Sequence, residues 1–283
     1  MGFKVKSLGI IGNGFVGNAI YEGMKQNYDV MVYDIDPEKS HNTIEDINNS
    51  DFVFLCVPTP MKTNGEFDVS IVETAVKMLD NQKTIIVKST ITPKAAKQIV
   101  DLFPQQNFVF NPEFLTERTA VRDFKNPSRI VIGGDDKEAL NNVEAMYRVV
   151  FPSRLVQIIK TDAQTACFIK YFSNCFFAAK VSLMNEFRQI SDAAGINWEV
   201  ALEGLLTSGW VNPMHTLVPG PDGNFGFGGK CFPKDINAFI NYSNSIGVDP
   251  KLLKAAWEKN LEIREDKNWL QIKGTITNDD QGV

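Results

Sequence analysis

Val5-Lys6-Ser7-Leu8-Gly9-Ile10-Ile11-Gly12-Asn13-Gly14-Phe15-Val16-Gly17 decides the fold. Val5 to Ile11 reads as a buried strand, and after the glycines a helical pattern runs to about Gln26. In such a strand, turn and helix, Gly12 permits the tight turn and Gly14 lets a pyrophosphate approach the backbone. Gly17 lets the helix pack closely on the strand, and the helix N-terminus receives the phosphate charge. Asn13, Phe15 and Val16 complete the turn and count with it as cofactor contacts. The next strand, Asp29 to Tyr33, ends in Asp34, about 20 residues after the first glycine, where a carboxylate meets both ribose hydroxyls and repels a 2′-phosphate. The stretch predicts a domain that binds NAD in preference to NADP.

Working outward, strands are expected at Phe52 to Val57, Thr84 to Lys88, Phe108 to Phe110, Arg129 to Ile132 and Leu155 to Ile159. They alternate with helices at Val69 to Leu79, Pro93 to Leu102 and Lys137 to Val150. This alternation predicts an α/β fold, a doubly wound parallel Rossmann sheet over residues 1–161. Ligands lie outside the carboxyl ends of such strands. That places Val57, Pro58, Thr59, Ser89 and Thr90 at the cofactor, with the Thr90 hydroxyl disposed toward water or the nicotinamide.

From Asp162 the texture changes to a helix from Ala163 to about Ala194 with no Pro or Gly, on the order of 48 Å long. It opens an all-α central domain over 162–270, followed by a polar tail over 271–283. Its aromatic stripe of Phe168, Phe172, Phe176 and Phe177, with Leu183, is expected to pack in the core, and the helix to serve as hinge and homodimer interface. Lys170 and Asn174 stand one turn apart and suit an oxyanion. Glu113 and Glu117 form a second such pair just after a strand, suited to a base and a cofactor contact.

Gly226-Phe227-Gly228-Gly229-Lys230-Cys231-Phe232-Pro233-Lys234-Asp235 sets one cysteine between a glycine turn and a helix start. The positive end of the helix and flanking lysines lower a thiol pKa, so Cys231 reads as a nucleophile. With Pro233 in the first turn, Asp235 shares its face. The other cysteines, Cys56, Cys167 and Cys175, are widely spaced and there are only two histidines, which argues against a zinc site, any other metal or a disulfide framework. Charged residues make up 22% and apolar residues 43%, with a net charge of -5, so no nucleic-acid or membrane surface is indicated. The start shows no cleavable hydrophobic segment and no stretch reaches membrane-spanning length, from which a cytoplasmic location is expected.

The glycine turn with Asp34, Cys56 to Pro60 (CVPTP), Lys88 to Thr90 (KST), Asn111 to Glu117 (NPEFLTE), Lys170 to Asn174 (KYFSN) and the cysteine segment together resemble the UDP-glucose/GDP-mannose dehydrogenase family. The resemblance implies a four-electron oxidation of a nucleotide-sugar alcohol to the carboxylate. It passes through a cysteine thiohemiacetal and thioester, with UDP-glucose the default substrate and two NAD reduced. It implies Cys231 as nucleophile, Lys170 and Asn174 as oxyanion donors, Asp235 and Thr90 as holders of a catalytic water and Glu113 as acid-base residue. Lys39, Glu117 and Lys234 are implied as cofactor contacts. Phe114, Leu115 and the Asp222 to Gly228 loop, including Asn224, Phe225, Gly226, Phe227 and Gly228, are implied around the sugar.

Three departures stand out. Only Ile35 to Asp51 separate the ribose acid from the next strand, His215 stands where the family's subunit-crossing arginine is expected, and the chain is expected to lack the family's C-terminal nucleotide-binding domain. Two other readings compete: a two-electron hydroxyacid dehydrogenase of the 6-phosphogluconate dehydrogenase-like group, and a catalytically weak NAD-binding regulatory subunit.

Overall fold

The computed structural model describes residues 6–62, 68–153, 155–272 and 274–275, so Val5 and most of the tail lie outside the described residues. The described residues of Met1–Thr59 and Phe67–Lys170 form one compact unit, and those of Pro60–Glu66 and Tyr171–Val283 a second.

The first unit runs β1 (Ser7–Ile11), α1 (Phe15–Met24), β2 (Asp29–Tyr33), α2 (Ile44–Asn48), β3 (Phe52–Leu55), α3 (Ser70–Lys77), β4 (Thr84–Val87), α4 (Pro93–Leu102) and β5 (Asn107–Phe110). It continues with α5 (Ala120–Lys125), β6 (Arg129–Gly133), α6 (Lys137–Val150) and β7 (Gln157–Thr161). The strands form one sheet in the order β2-β1-β3-β4-β5-β6-β7. Side chains alternate across a strand, so one strand feeds two cores. Phe52 and Phe54 of β3 join a cluster with Ile20, Met24, Val143 and Tyr147 of α1 and α6. Val53 and Leu55 join the opposite one with Val72, Val76, Ala96 and Ile99 of α3 and α4. Burial on both faces explains why these strands read as continuous apolar runs.

The sheet departs from the expected all-parallel arrangement at one place. β5 and β6 pair antiparallel through Phe110 and Gly133, while β6 and β7 pair parallel from Arg129 opposite Gln157 to Gly133 opposite Thr161. β7 also starts two residues later than expected, and Leu155 is left 90% exposed.

Helix α7 (Ala163–Ala193) begins in the first unit and continues into the second, which adds α8 (Trp198–Leu206), α9 (Phe232–Ser245) and α10 (Lys251–Ile263). The second unit's main core gathers Cys175, Ala178, Phe227, Ile236 and Ala256. The aromatic stripe of α7 corrects the expectation of core packing. Phe172, Phe176, Leu183, Phe187 and Ile190 are all more than half exposed. Cys175, Ala178 and the larger Tyr171 and Met184 of α7 are buried instead, so helical periodicity marked an apolar face that the described residues leave exposed.

Candidate active site in two parts

In the first unit, β1 runs directly into the glycine turn. Gly12 holds φ of +94°, and a Cβ there would stand 2.7 Å from the Cys56 carbonyl oxygen. At Gly17 a Cβ would stand 2.0 Å from the Gly12 oxygen. Gly14 differs, because a Cβ there would meet nothing within 4 Å. It is the N-cap of α1 and makes no side-chain cap hydrogen bond, so the first-turn N–H groups are unspent by any cap. The Asp34 carboxylate accepts the Asn13 N–H at 2.6 Å and the Asp36 N–H at 2.9 Å, which ties the end of β2 to the turn. Asn13 donates Nδ2 to the Lys39 carbonyl at 2.8 Å, while its Oδ1 is buried without a hydrogen-bond partner among the described residues. The open space at Gly14, the uncapped helix and the orphaned acceptor fit a dinucleotide. The Lys39 ammonium is exposed and paired with Asp36 at 3.1 Å.

Beyond the carboxyl ends of β3 and β4, Ser89 donates its hydroxyl to the Val57 carbonyl at 2.8 Å and fixes the two loops that carry Pro58, Thr59 and Thr90. After β5, Glu113 is buried. Its Oε1 accepts from Lys170 Nζ at 2.8 Å, and its Oε2 accepts the Leu115 N–H at 2.6 Å. Phe114 lies beneath two cations, Arg129 at 4.1 Å and Lys170 at 5.7 Å from its ring centre. Burial works to raise the Glu113 pKa. The Lys170 charge and hydrogen bond, the Leu115 N–H and the Lys88 charge outweigh it and hold the carboxyl below its ordinary value. Glu117 does not pair with Glu113 on a helix as the spacing suggested. Residues 113–116 are irregular, and Glu117 is exposed at the start of a single 3-10 turn.

Behind Glu113 lies a group that the sequence reading did not single out. Lys88 Nζ donates to Asn111 Oδ1 at 3.2 Å, the Tyr147 hydroxyl donates to the same oxygen, and Asn111 Nδ2 donates to the Val131 carbonyl at 2.6 Å. Burial lowers the Lys88 pKa to about 8 and raises that of the neighbouring Cys56 thiol to about 12, so Cys56 stays a thiol.

In the second unit, Cys231 is the N-cap of α9, with Pro233 in the first turn. The Asp235 N–H donates to the Cys231 carbonyl at 2.8 Å. The Asp235 side chain is buried, with Oδ1 taking Lys234 Nζ at 2.5 Å and Oδ2 taking Asn174 Nδ2 at 2.6 Å. Lys234 is thus a buried brace on Asp235. His215 sits at φ of +64°, its ring centre 4.6 Å from Phe177 and 5.4 Å from Phe232. Burial, then the charge of Lys180, lowers its pKa, so it is neutral at pH 7. Lys180 in turn donates to the carbonyls of Asn212 at 2.5 Å and Met214 at 2.7 Å.

In the glycine loop before Cys231 the Gly226, Phe227 and Gly229 N–H groups donate to Asn185, Asn260 and Asn268 side chains, and Gly228 packs on Arg264. Asn224 caps the turn that precedes them, its carbonyl taking the Gly220 N–H at 2.8 Å, and Phe225 is 45% exposed. The four partners lie far along the chain from the loop, where no motif announces them.

A glycine turn at the head of a mostly parallel sheet, closed by the acid at the end of β2, together with a long helix and a cysteine at a helix N-terminus, defines a Rossmann-type dehydrogenase architecture. The chain belongs to the UDP-glucose/GDP-mannose dehydrogenase family: it matches that family's NAD binding domain over residues 40–151 and its central domain over residues 164–262. It is 34% identical over 253 residues to the UDP-glucose 6-dehydrogenase of Rickettsia conorii, covering 86% of this chain and 56% of that one. The chain therefore spans about half the length of the curated relatives it matches. Among solved structures it resembles a UDP-glucose dehydrogenase from Pyrobaculum islandicum, with a TM-score of 0.82 at 26% identity, covering 92% of this chain and 68% of that one. The 3-hydroxyisobutyrate dehydrogenase of Mycobacterium tuberculosis shares the fold, with a TM-score of 0.72 at 17% identity over 92% of this chain and 94% of that one. Among the described residues, no helix is long and apolar enough to cross a membrane.

Proposed function

We propose that this chain carries the chemistry of an NAD-dependent nucleotide-sugar 6-dehydrogenase, oxidising a sugar primary alcohol to the carboxylate, with UDP-glucose as its substrate. The observation that carries the reading is Cys231 at the N-cap of α9 with Asp235 one turn on, bonded back to it and braced by Asn174 and Lys234. A simple alcohol dehydrogenase has no use for such a cysteine.

When bound, NAD would be held by the Gly12 to Gly17 turn and Asp34, and two NAD in succession would each accept one hydride, the first as the alcohol becomes an aldehyde and the second from the thiohemiacetal. The Cys231 sulfur adds to the aldehyde carbon, forming a C–S bond and a thiohemiacetal. The alkoxide that develops is the charge for which the Lys170 ammonium and Asn174 amide are the proposed donors. Loss of a second hydride equivalent leaves a thioester. Water attacks it, the C–S bond breaks and Cys231 leaves as thiolate, so the alcohol and one water become a carboxylate with four electrons removed. Glu113, held ionised by Lys170, is the proposed base for that water, with Thr90 and Asp235 its proposed holders.

A second copy of the chain is the proposed cover for the exposed α7 face of Phe172, Phe176, Leu183, Phe187 and Ile190, an apolar stripe larger than scattered surface residues make. Sedimentation of the protein and of a Phe176→Glu, Phe187→Glu double variant tests this, and a wild-type monomer would remove the proposal.

For the chemistry, Cys231→Ser is the test, because a serine hydroxyl lacks thiolate nucleophilicity at neutral pH. The variant is expected to bind NADH as the wild type does and to form no uronate. Steady carboxylate formation by Cys231→Ser would remove the cysteine from the mechanism.

A further inference from the structure

The loop that leads into Cys231 is held by side chains from three distant places in the second unit. The Gly226 N–H donates to Asn185 Oδ1 at 3.0 Å, the Phe227 N–H to Asn260 Oδ1 at 2.7 Å and the Gly229 N–H to Asn268 Oδ1 at 2.9 Å. Asn260 closes a second bond by donating Nδ2 to the Phe227 carbonyl at 3.0 Å. Arg264 fills the remaining space. A Cβ on Gly228 would stand 2.5 Å from its Nη2 and 2.7 Å from Asn268 Oδ1, and a Cβ on Gly226 would stand 2.4 Å from Asn260 Oδ1. The guanidinium is itself fixed, with Nη2 on Asp222 Oδ2 at 2.8 Å and Nε on the Asp266 carbonyl at 2.8 Å.

Asn185, Asn260 and Arg264 are almost wholly buried. A buried amide or guanidinium left unpaired costs more than its bond contributes when made, so these groups have a strong preference for the one loop path that satisfies them. That path puts Gly226 and Gly229 at φ of +67° and +75°. Downstream, the Cys231 carbonyl is bonded to the Asp235 N–H, and Asp235 is braced on both oxygens. Cys231 is therefore set between two fixed stretches of backbone.

We propose that Asn268, Asn260 and Arg264 are positioning residues that fix the backbone just upstream of Cys231 and so place its sulfur at the N-terminus of α9. The role rests on the reading of Cys231 as nucleophile. Because the loop spends these N–H groups on the protein's own side chains, they do not serve to bind the sugar phosphate, and the loop contributes to catalysis through where it holds the thiol.

Asn268 and Asn260 make different demands, and that difference is the test. Asn268 uses only its oxygen toward the loop, so Asn268→Asp keeps the acceptor and Asn268→Ala loses it. Asn260 uses both ends, so Asn260→Asp sets a carboxylate oxygen against the Phe227 carbonyl. The readouts are the rate of Cys231 alkylation by iodoacetamide from pH 6 to 9 (about the range of a perturbed thiol), followed on the peptide that contains it without NAD or sugar, together with kcat and KM for UDP-glucose. Asn268→Ala and Asn260→Asp are expected to move the alkylation profile to higher pH and to lower kcat by about tenfold to a hundredfold, with KM changing less. Asn268→Asp is expected to restore both. Asn268 is only half-buried, on a 3-10 turn, so its replacement does not open the core. Asn268→Ala with a wild-type alkylation profile and kcat would overturn the proposal, as would Asn268→Asp behaving like Asn268→Ala. Alkylation reads the clamp without turnover, so it separates failure of the clamp from failure of the nucleophile assignment, which Cys231→Ser reports.

Discussion

Two stretches of this chain are rich in glycine, Gly12 to Gly17 and Gly226 to Gly229, and Gly14 of the first is bare for the opposite reason from Gly226 and Gly228 of the second. At Gly14 a Cβ would meet nothing within 4 Å, and the helix that follows has no side-chain cap. The turn is open where the proposed reading sets a phosphate. At Gly226 and Gly228 a Cβ would run into Asn260 and Arg264, and the Gly226, Phe227 and Gly229 N–H groups are already taken. At Gly14 the space is left free for a ligand, whereas at Gly226 and Gly228, as at Gly12 and Gly17, the approaching group is the protein itself.

The comparison breaks most readily at Gly228. Gly228→Ala forces the buried Arg264 guanidinium to move, at a cost of about 1–3 kcal/mol, so the melting temperature should fall and turnover with it. NADH binding, read by fluorescence, should survive. Gly14→Ala should do the reverse. Its φ of -77° suits alanine, so stability should change by no more than roughly 0.5 kcal/mol. The new methyl occupies the space kept for the pyrophosphate, and NADH affinity should weaken by about tenfold. If Gly14→Ala binds NADH normally and Gly228→Ala does not, the two stretches have been assigned the wrong way round.

A smaller effect sharpens the same contrast through pH. Burial works to raise the Asp222 carboxyl, but its hydrogen bond to Arg264, the Asn224 N–H and the Arg264 charge hold it below the ordinary aspartate value. A depressed folded pKa contributes stability that is complete above the unfolded value and is lost as pH falls through the folded one. Stability should therefore drop on acidification below about pH 4. Asp222→Asn removes this titration, so its melting temperature should fall less steeply over that window. Parallel curves for the two proteins would show that the Arg264 lock does not depend on the charge.

Much of the first unit was legible because its signals are local. Helices α4 and α6 begin and end where the sequence placed them, since Thr92 with Pro93 and Asp136 are start signals that need only their own neighbours. Cys231 as the N-cap of α9 was legible for the same reason. Helix α2 was missed although Thr43 and Asp46 form a capping box, because five residues carry too little periodicity to read. The antiparallel turn of β6 is a matter of topology, which strand patterns do not encode. The α7 stripe showed that an apolar face exists and not what lies against it. Asn185, Asn260, Arg264 and Asn268 were out of reach, since an asparagine on a helix has no pattern until the loop it holds is in place.

The most direct test of the account is the number of NADH molecules formed per UDP-glucose consumed by the wild-type protein, measured to completion with the product identified by mass. In the proposed reading Cys231 serves the second oxidation, so the expected result is two NADH and UDP-glucuronate. One NADH with an aldehyde or ketone product would contradict the thioester route and favour the two-electron dehydrogenase, and no turnover with intact NADH binding would leave the NAD-binding regulatory subunit.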